Sequence, residues 1–383
     1  MNLPVDFISS IRARLGGETD LFLSALAEDP PVSIRLNPFK RHRNPMTLGC
    51  PVEQVPWSEV GYYLAERPSF TFDPLFHAGY YYVQEASSMF VEYVVRELIP
   101  KPVICLDLCA APGGKSVGLL SALPEGSLLV SNEIVRQRAN ILSETLIKFG
   151  HSNSVVTQNR VKDFAAFPGL FDLILVDAPC SGEGMFRKDE VAMQEWSPQN
   201  VAMCAARQRD ILDDVWPALR PGGLLLYSTC TYNRDENEEN ARWAASKLGA
   251  IFTKVEIGAD WNITPSCSGE TGGYHFYPHK VKGEGFFVTV LRKPEVELSG
   301  AGFHAKKNRK QTTVFIKNPV EYSGLIRNPE LFHFMESGDR IIALPKVYAE
   351  TIVLFMNNLN SISAGIELGV RKGRDFIPSH ALA

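Results

Sequence analysis

Two cysteines and an aspartate set the chemistry open to this sequence. Asp177 and Cys180 stand together in DAPCSG, directly after Leu173–Val176, a fully apolar and partly β-branched run. Such a run marks a strand buried on both faces of a parallel sheet, and Ala178-Pro179-Cys180-Ser181-Gly182 breaks it into a tight loop. In open α/β sheets, ligands bind outside the carboxyl ends of the strands, so an acid and a thiol delivered there can act on a ligand. A capping Asp and an inert Cys at the end of a buried strand would carry the same letters. Cys230 holds a similar position in YSTCTY, where the apolar run Leu224–Ser228 ends. Two thiols at neighbouring strand ends suit a redox pair or half of a metal site. Zinc would need further Cys or His, and the supporting spacing is limited to Cys267…His275-x-x-x-His279 in a loop; no metal is expected.

A third motif is DLCAAPGGKS, Asp107–Ser116, between an apolar run and a helical pattern. Small residues and glycines at such a turn let backbone approach a ligand, and N–H groups at the helix start point towards it. A phosphate-binding loop would need Gly where Cys109 stands, and the G-x-G-x-x-G of a dinucleotide fold is absent. Glu133, about 20 residues beyond Gly113, closes the next strand, where an acid can hold both hydroxyls of an adenosine ribose. A small-residue loop with a ribose acid and no phosphate cradle points to a nucleoside cofactor without phosphates, S-adenosylmethionine. A tight packing turn with a surface Glu133 is the plainer alternative.

These motifs need strand ends to carry them. From Val103 onward strands alternate with helices: Val103–Leu108, Ser127–Ser131, Ser154–Thr157, Leu173–Val176 and Leu224–Ser228 read as strands. Gly114–Leu123, Ile134–Phe149, Gln199–Leu219 and Asp235–Leu248 read as helices. The fold class is therefore α/β, a doubly wound Rossmann-like sheet. Closing strands near Ala250–Glu256 and Phe286–Leu291 fit the antiparallel edge of methyltransferase-type variants. A small α+β N-terminal module precedes it, with a helix over Phe7–Leu15 ended by Gly16-Gly17 and a strand over Val32–Leu36. The helical pattern Val83–Leu98 follows Tyr80-Tyr81-Tyr82, aromatics that could stack on bases or fill a core. A small β-rich C-terminal region closes the chain.

With 383 residues, 45% hydrophobic and 21% charged, the chain has the composition of a soluble globular protein. It lacks an apolar run of membrane-spanning length and a signal-peptide core. Its seven scattered cysteines do not form a disulfide framework, so a reducing cytoplasm is expected. A net charge of −4 means that any polyanion must meet local basic runs. Candidates are Lys40-Arg41-His42-Arg43, Lys306-Lys307-Asn308-Arg309-Lys310 and Arg371-Lys372-Gly373-Arg374; each also reads as a solvated loop. A monomer is expected.

DLCAAPGGKS, DAPCSGEGMFRK, STCTY followed by NRDENEEN, and YYVQEASSM upstream together resemble the Sun family (RsmF-like) of RNA cytosine-5 methyltransferases. The motifs run in order over about residues 75–293. SIRLNPFK (Ser33–Lys40) and PSHALA (Pro378–Ala383) resemble the family's terminal regions more weakly. The expected divisions are 1–80, an N-terminal RNA-binding module, 81–295, the catalytic domain, and 296–383, a C-terminal RNA-binding region. The resemblance implies methylation of carbon 5 of a cytosine in RNA, ribosomal RNA before tRNA, with S-adenosylmethionine as cofactor. It implies Cys230 as the nucleophile that attacks carbon 6, although spacing alone favours Cys180. Cys180 then assists release, and Asp177 hydrogen-bonds the base edge near the methyl donor. It further implies that Cys109, Ala110, Ala111, Pro112, Gly113, Gly114, Lys115 and Glu133 hold the cofactor, and that Lys188 binds RNA or the base.

Relatives carry an acid after the third strand, where this chain reads Thr157-Gln158-Asn159-Arg160; Asn159 could meet the adenine edge there, whereas Arg160 could not accept from its amino group. The end at PSHALA suggests a short or truncated form. Two other readings remain at this level. LILVDAP resembles the apolar-then-Asp strand that holds magnesium in nucleotide hydrolases, against which Cys109 speaks. A catalytically inactive RNA-binding module is the other, against which both cysteines speak.

Overall fold

The structure, a computed structural model, describes residues 3–40, 51–266, 272–295, 314–317 and 319–382. The chain opens with α1 (Val5–Leu15) and α2 (Thr19–Leu26). The turn between them needs a left-handed residue, and Gly16 supplies it with φ of 53°. Next come β1 (Val32–Leu36), β2 (Val52–Gln54), β3 (Gly61–Leu64), α3 (Pro74–His77) and β4 (Tyr81–Val83). The four strands form an antiparallel sheet in the order β2-β3-β1-β4. Tyr81-Tyr82-Val83 thus pairs with β1, with Val83 ending this strand rather than opening a helix, and the sheet runs past residue 80. The helix begins later, as α4 (Phe90–Leu98), because Glu85 accepts the Ser87 and Ser88 backbone N–H groups and starts the turn there.

The central part contains β5 (Ile104–Asp107), α5 (Gly114–Ala122), β6 (Leu128–Asn132), α6 (Arg136–Phe149), β7 (Ser154–Thr157) and β8 (Phe171–Asp177). It continues with α7 (Glu190–Glu195), α8 (Pro198–Val215), β9 (Leu219–Thr229), α9 (Glu238–Leu248) and β10 (Ile251–Thr253). Strands β11 (Thr264–Pro265), β12 (Tyr274–Phe276) and β13 (Phe286–Arg292) complete it. The order β11-β12-β13-β9-β8-β5-β6-β7 is parallel from β7 to β9 and turns antiparallel at β13, which β10 also joins. The doubly wound α/β expectation, with its antiparallel edge, holds.

Period-two alternation explains how the parallel strands bury both faces. Leu173 and Leu175 point to one core with Cys105 and Leu129, while Ile174 and Val176 point to the other with Leu106 and Val130. α4, α5 and α6 cover the first face; α8 and α9 cover the second. Ser197 accepts from Asn200 N at 3.1 Å and Pro198 occupies the first helical position, which fixes the start of α8.

The C-terminal region holds β14 (Val314–Phe315), α10 (Val320–Ser323), β15 (Phe332–Ser337), β16 (Arg340–Pro345) and α11 (Ala349–Asn358). It ends with β17 (Ser361–Ala364), β18 (Ile366–Lys372) and β19 (Asp375–Pro378). Five strands form their own sheet, β14-β15-β16-β18-β19, which is the expected β-rich region. β17 leaves it and pairs antiparallel with β7, becoming the tenth strand of the central sheet. The ring of Phe355 on α11 stacks 5.9 Å from Phe171 and lies 5.2 Å from Phe167. The region therefore completes the second core, across the division expected at residue 296. The other end is tied down as well: Phe7 lies 5.0 Å from Phe186, and Phe22 lies 4.9 Å from Tyr232. Arg35 on β1 pairs with Glu92 on α4, both fully buried. Among the described residues no helix is long and apolar enough to cross a membrane.

If α11 belongs to the central core, Phe355→Ala should destabilise the whole protein by about 3–5 kcal/mol. Urea unfolding followed by far-UV circular dichroism measures it. A loss below about 1 kcal/mol would mean that the C-terminal region folds on its own account.

Candidate active site

The parallel register of β8 and β9 sets Asp177 opposite Ser228, so both strands end level with each other. Ser228 Oγ donates to Asp177 Oδ1 at 2.8 Å, and Ala178 N donates to the Ser228 carbonyl at 2.9 Å. Past these ends the two loops stay in contact, with Gly184 N donating to the Cys230 carbonyl at 2.9 Å. The consequence is that Cys180 Sγ and Cys230 Sγ lie 3.2 Å apart. Both sulfurs line one cavity of about 520 Å³, a size typical of small-molecule sites.

That cavity spans the carboxyl ends of five neighbouring strands. Cys109 and Ala111 come from the loop after β5, Asn132 and Glu133 from β6, Asn159 and Val161 from the segment after β7. Asp177, Pro179 and Cys180 follow β8, and Cys230 follows β9. Glu133 is almost fully buried; its Oε1 accepts from Val135 N at 2.9 Å and its Oε2 lies 3.4 Å from Arg138 Nη1. Arg138 in turn donates to the Ala111 carbonyl at 3.0 Å, fastening the first loop to the second. Ile134 and Ile211 add apolar wall.

Lys115 is not on the cavity wall but stands behind Asp177, which is. Its ammonium lies 2.8 Å from Asp177 Oδ2. Burial opposes its charge, but the charge and hydrogen bond of Asp177 and the neighbouring Cys230 raise its pKa on balance, so it stays protonated. The Cys180 thiol is pushed well up by its hydrogen bond with Cys230 and then by burial. Burial also pushes up the Cys109 thiol, with Asp107 and Asp177 adding to it. Two of the three cavity thiols are therefore held neutral, and a cation stands near the third.

Several expected residues serve other ends. Gly113 and Gly114 are not on the cavity wall. Gly113, with φ of 114°, caps α5 at a point where a Cβ would come within 2.8 Å of Thr145 Cγ2 on α6. Gly114 faces the Tyr82 ring in the same way, at 3.1 Å. Their small size serves close packing of α5, and the wall is formed by Cys109 and Ala111. Ala110 and Pro112 are likewise off the wall: Ala110 N donates to Asn132 O at 2.9 Å, and Pro112 O accepts from Thr145 at 2.9 Å. Asn159 reaches the wall, but its side chain is engaged at both ends. It donates to Asp163 Oδ2 at 3.0 Å and accepts from Asn360 N at 3.0 Å, next to β17. Lys188 lies away from the cavity, 3.4 Å from Glu284 Oε1.

Asn132 was invisible in the sequence. It ties three loops together, donating to Leu108 O and Asn159 O and accepting from Thr157 Oγ1 and Asn159 N. Arg138, Val161 and Ile211 carry no sequence signal either, since they fall on ordinary helical or loop positions. His275 is committed to Glu238 at 3.0 Å, and Cys267 lies outside the described residues. Among the described residues no three His, Cys, Asp or Glu side chains are arranged to hold a metal ion. Of the basic runs, Arg41–Arg43 and Lys306–Lys310 lie outside the described residues; Arg371 pairs with Glu321 and Tyr322.

Residues 98–292 match the family described as 16S rRNA methyltransferase RsmB/F, and residues 3–86 match the N-terminal domain of 16S rRNA methyltransferase RsmF. Ribosomal RNA small subunit methyltransferase F of Aliivibrio fischeri is 32% identical over 360 residues, covering 87% of this chain and 76% of the relative. Its namesake in Pectobacterium carotovorum is 34% identical over 304 residues, 76% of this chain. The chain spans 63% of the length of that relative. Among solved structures, a methyltransferase homologue from Pyrococcus horikoshii is 26% identical with a TM-score of 0.65, covering 75% of this chain and 94% of that one. NSun6 from the same organism, crystallised with SFG, has a TM-score of 0.66 at 21% identity, covering 76% and 98%.

Asp107, buried where β5 ends, has a pKa raised from 3.8 to about 7; burial is the cause, opposed by the Ser116 hydroxyl that donates to it at 2.7 Å. A carboxyl raised in the folded state contributes stability that is complete below its unfolded pKa and lost as pH climbs through the folded one. Stability should therefore fall from about pH 4 to about pH 7 and level off above it, and Asp107→Asn should flatten that fall in urea unfolding. An unchanged slope in the variant would exclude Asp107 as the titrating group.

Proposed function

Because this chain belongs to the RsmB/F family of methyltransferases, we propose that it methylates carbon 5 of a cytosine in small-subunit ribosomal RNA. S-adenosylmethionine is the cofactor, and a covalent bond from Cys230 to the base carries the reaction. One observation supports this above all: two sulfurs 3.2 Å apart close one end of a cavity whose other end holds the buried acid Glu133.

The cavity fits the cofactor. Cys109 and Ala111 offer neutral wall, Ile134 and Ile211 offer apolar surface for adenine, and Glu133 can accept from ribose hydroxyls. Bound there, S-adenosylmethionine supplies an electrophilic methyl group.

Cytosine carbon 5 is a poor nucleophile until carbon 6 is attacked. Cys230 forms the sulfur–carbon 6 bond, and the ring electrons shift so that carbon 5 becomes enamine-like and reactive. The protonated Lys115 ammonium stands close enough to Cys230 to interact with it electrostatically. Asp177 faces the same space and can accept from the cytosine amino group, which holds the ring in register. Once carbon 5 carries the methyl group that the bound cofactor would supply, loss of the carbon 5 proton to solvent returns an electron pair to the ring, and the carbon 6–sulfur bond breaks with its electrons going to Cys230. Cys180, in hydrogen-bond contact with that sulfur, assists this release. A base inside a duplex cannot reach the cavity, so the target cytosine is single-stranded or flipped out. The protein acts in the cytoplasm, where ribosomal RNA is found.

The test uses tritiated S-adenosylmethionine and small-subunit RNA, with bisulfite sequencing to find the base. The wild-type protein should label one cytosine. Cys230→Ala should lower transfer by at least ~10³-fold, whereas Cys180→Ala should leave protein attached to RNA through denaturing electrophoresis. Normal turnover by Cys230→Ala would reverse the two roles, and label on another base or ring position would reject the reaction.

A further inference from the structure

Beneath the two thiols, two buried carboxylates cross from one thiol loop to the other. Glu183 follows Cys180 in the chain, yet its Oε2 accepts from Thr231 Oγ1 at 2.6 Å, Tyr232 N at 2.7 Å and Asn233 N at 2.9 Å, all just after Cys230. Glu236 follows Cys230, yet its Oε2 accepts from Ser181 N at 3.0 Å and its Oε1 from the Ser181 hydroxyl, directly after Cys180. Asn233 Nδ2 joins the pair, 2.7 Å from Glu236 Oε1 and 3.1 Å from Glu183 Oε1. Gln208 on α8 fixes the base of this clasp, donating to Glu236 Oε2 at 2.7 Å and to the Pro179 carbonyl at 2.9 Å. Every one of these side chains is buried.

Neither carboxylate touches the cavity, and no Lys, Arg or His among the described residues pairs with either. Burying two acids without a cation is costly, so their role lies in the donors they gather. Those donors are mostly backbone N–H and hydroxyl groups of the residues adjoining the two sulfurs. A loop held at that many points cannot drift, and reacting groups displaced by about 1 Å lose on the order of 10²-fold in rate.

Resting on the reaction proposed above, we propose that Glu236 and Glu183 are positioning residues that lock the Cys180 loop against the Cys230 loop for the release step. Glu236 also sets the two thiols apart. It stands behind Cys180, where its negative charge opposes a Cys180 thiolate, while Lys115 stands beside Cys230. The chain thereby gives two identical side chains different electrostatic surroundings.

Glu236→Gln replaces one acceptor with an amide donor facing Ser181 and tests the clasp directly. Its kcat should fall on the order of 10²-fold with KM for RNA and for S-adenosylmethionine within about twofold, and RNA-bound protein should accumulate. Ser181→Ala, which keeps the backbone donor and removes only the hydroxyl, should show a smaller loss of the same kind. A second readout does not depend on methylation: diamide should join Cys180 to Cys230 as a disulfide, and peptide mass mapping should find that step slower in Ser181→Ala, which loosens the clasp and leaves the Glu236 charge in place. That comparison decides the positioning even if the wild-type protein methylates no RNA tried. A wild-type rate of disulfide formation in Ser181→Ala would overturn the proposal. So would a loss of activity carried wholly by KM or by a collapse of the melting temperature.

Discussion

The site depends on the register between β8 and β9. Parallel strands joined by a helical crossover end on the same side of a sheet, but equal height is a separate condition. Here Asp177 opposite Ser228 meets it, and every later contact follows: the Ser228 hydroxyl on Asp177, the Gly184 N–H on the Cys230 carbonyl, and finally one sulfur against the other. A slip of one residue would turn the Asp177 side chain to the opposite face and separate the thiol loops. The apolar faces of both strands prevent that slip, because Leu173 to Val176 and Leu224 to Tyr227 fill two different cores in alternation. Stability of the sheet and geometry of the chemistry are thus the same constraint.

Around this pair the protein sorts charge. Asp177 lines the cavity with the Lys115 ammonium paired to it, while Glu183 and Glu236 are buried away from it. The far end of the cavity is kept open by Asn132 and Arg138, which tie the loops after β5, β6 and β7 to one another. The C-terminal region enters this frame through Asn360, whose N–H meets Asn159 and whose neighbour β17 extends β7. The C-terminal region is therefore part of the scaffold around the cavity.

Much of this was legible in the sequence, for identifiable reasons. Strands buried on both faces leave unbroken apolar runs, so Leu173–Val176 and Leu224–Ser228 could be placed, and topology then put their cysteines together. Glu133 was found because its distance from the glycine turn reflects the length of one strand–helix–strand unit. Contacts between segments distant in sequence were not legible. Nothing in TQNR shows that Asn159 is bound by Asp163 and Asn360, and nothing in AAPGG shows that the glycines face α6 and Tyr82 rather than the cavity. The helical pattern was expected to open at Val83, whose apolar spacing continues that of α4; pairing with β1 makes Val83 the end of a strand instead. The departure of β17 from its own sheet is a tertiary choice with no local signature.

The central claim is that Cys230, and not its neighbour, bonds to the base. RNA carrying 5-fluorocytidine tests it most directly, since carbon 5 then has fluorine in place of the proton that must leave. With wild-type protein and S-adenosylmethionine the reaction should stop at the covalent stage, and mass mapping of protease-digested adduct should place the methylated nucleotide on the peptide holding Cys230. A nucleotide on Cys180, or no adduct while ordinary RNA is methylated, would contradict the account.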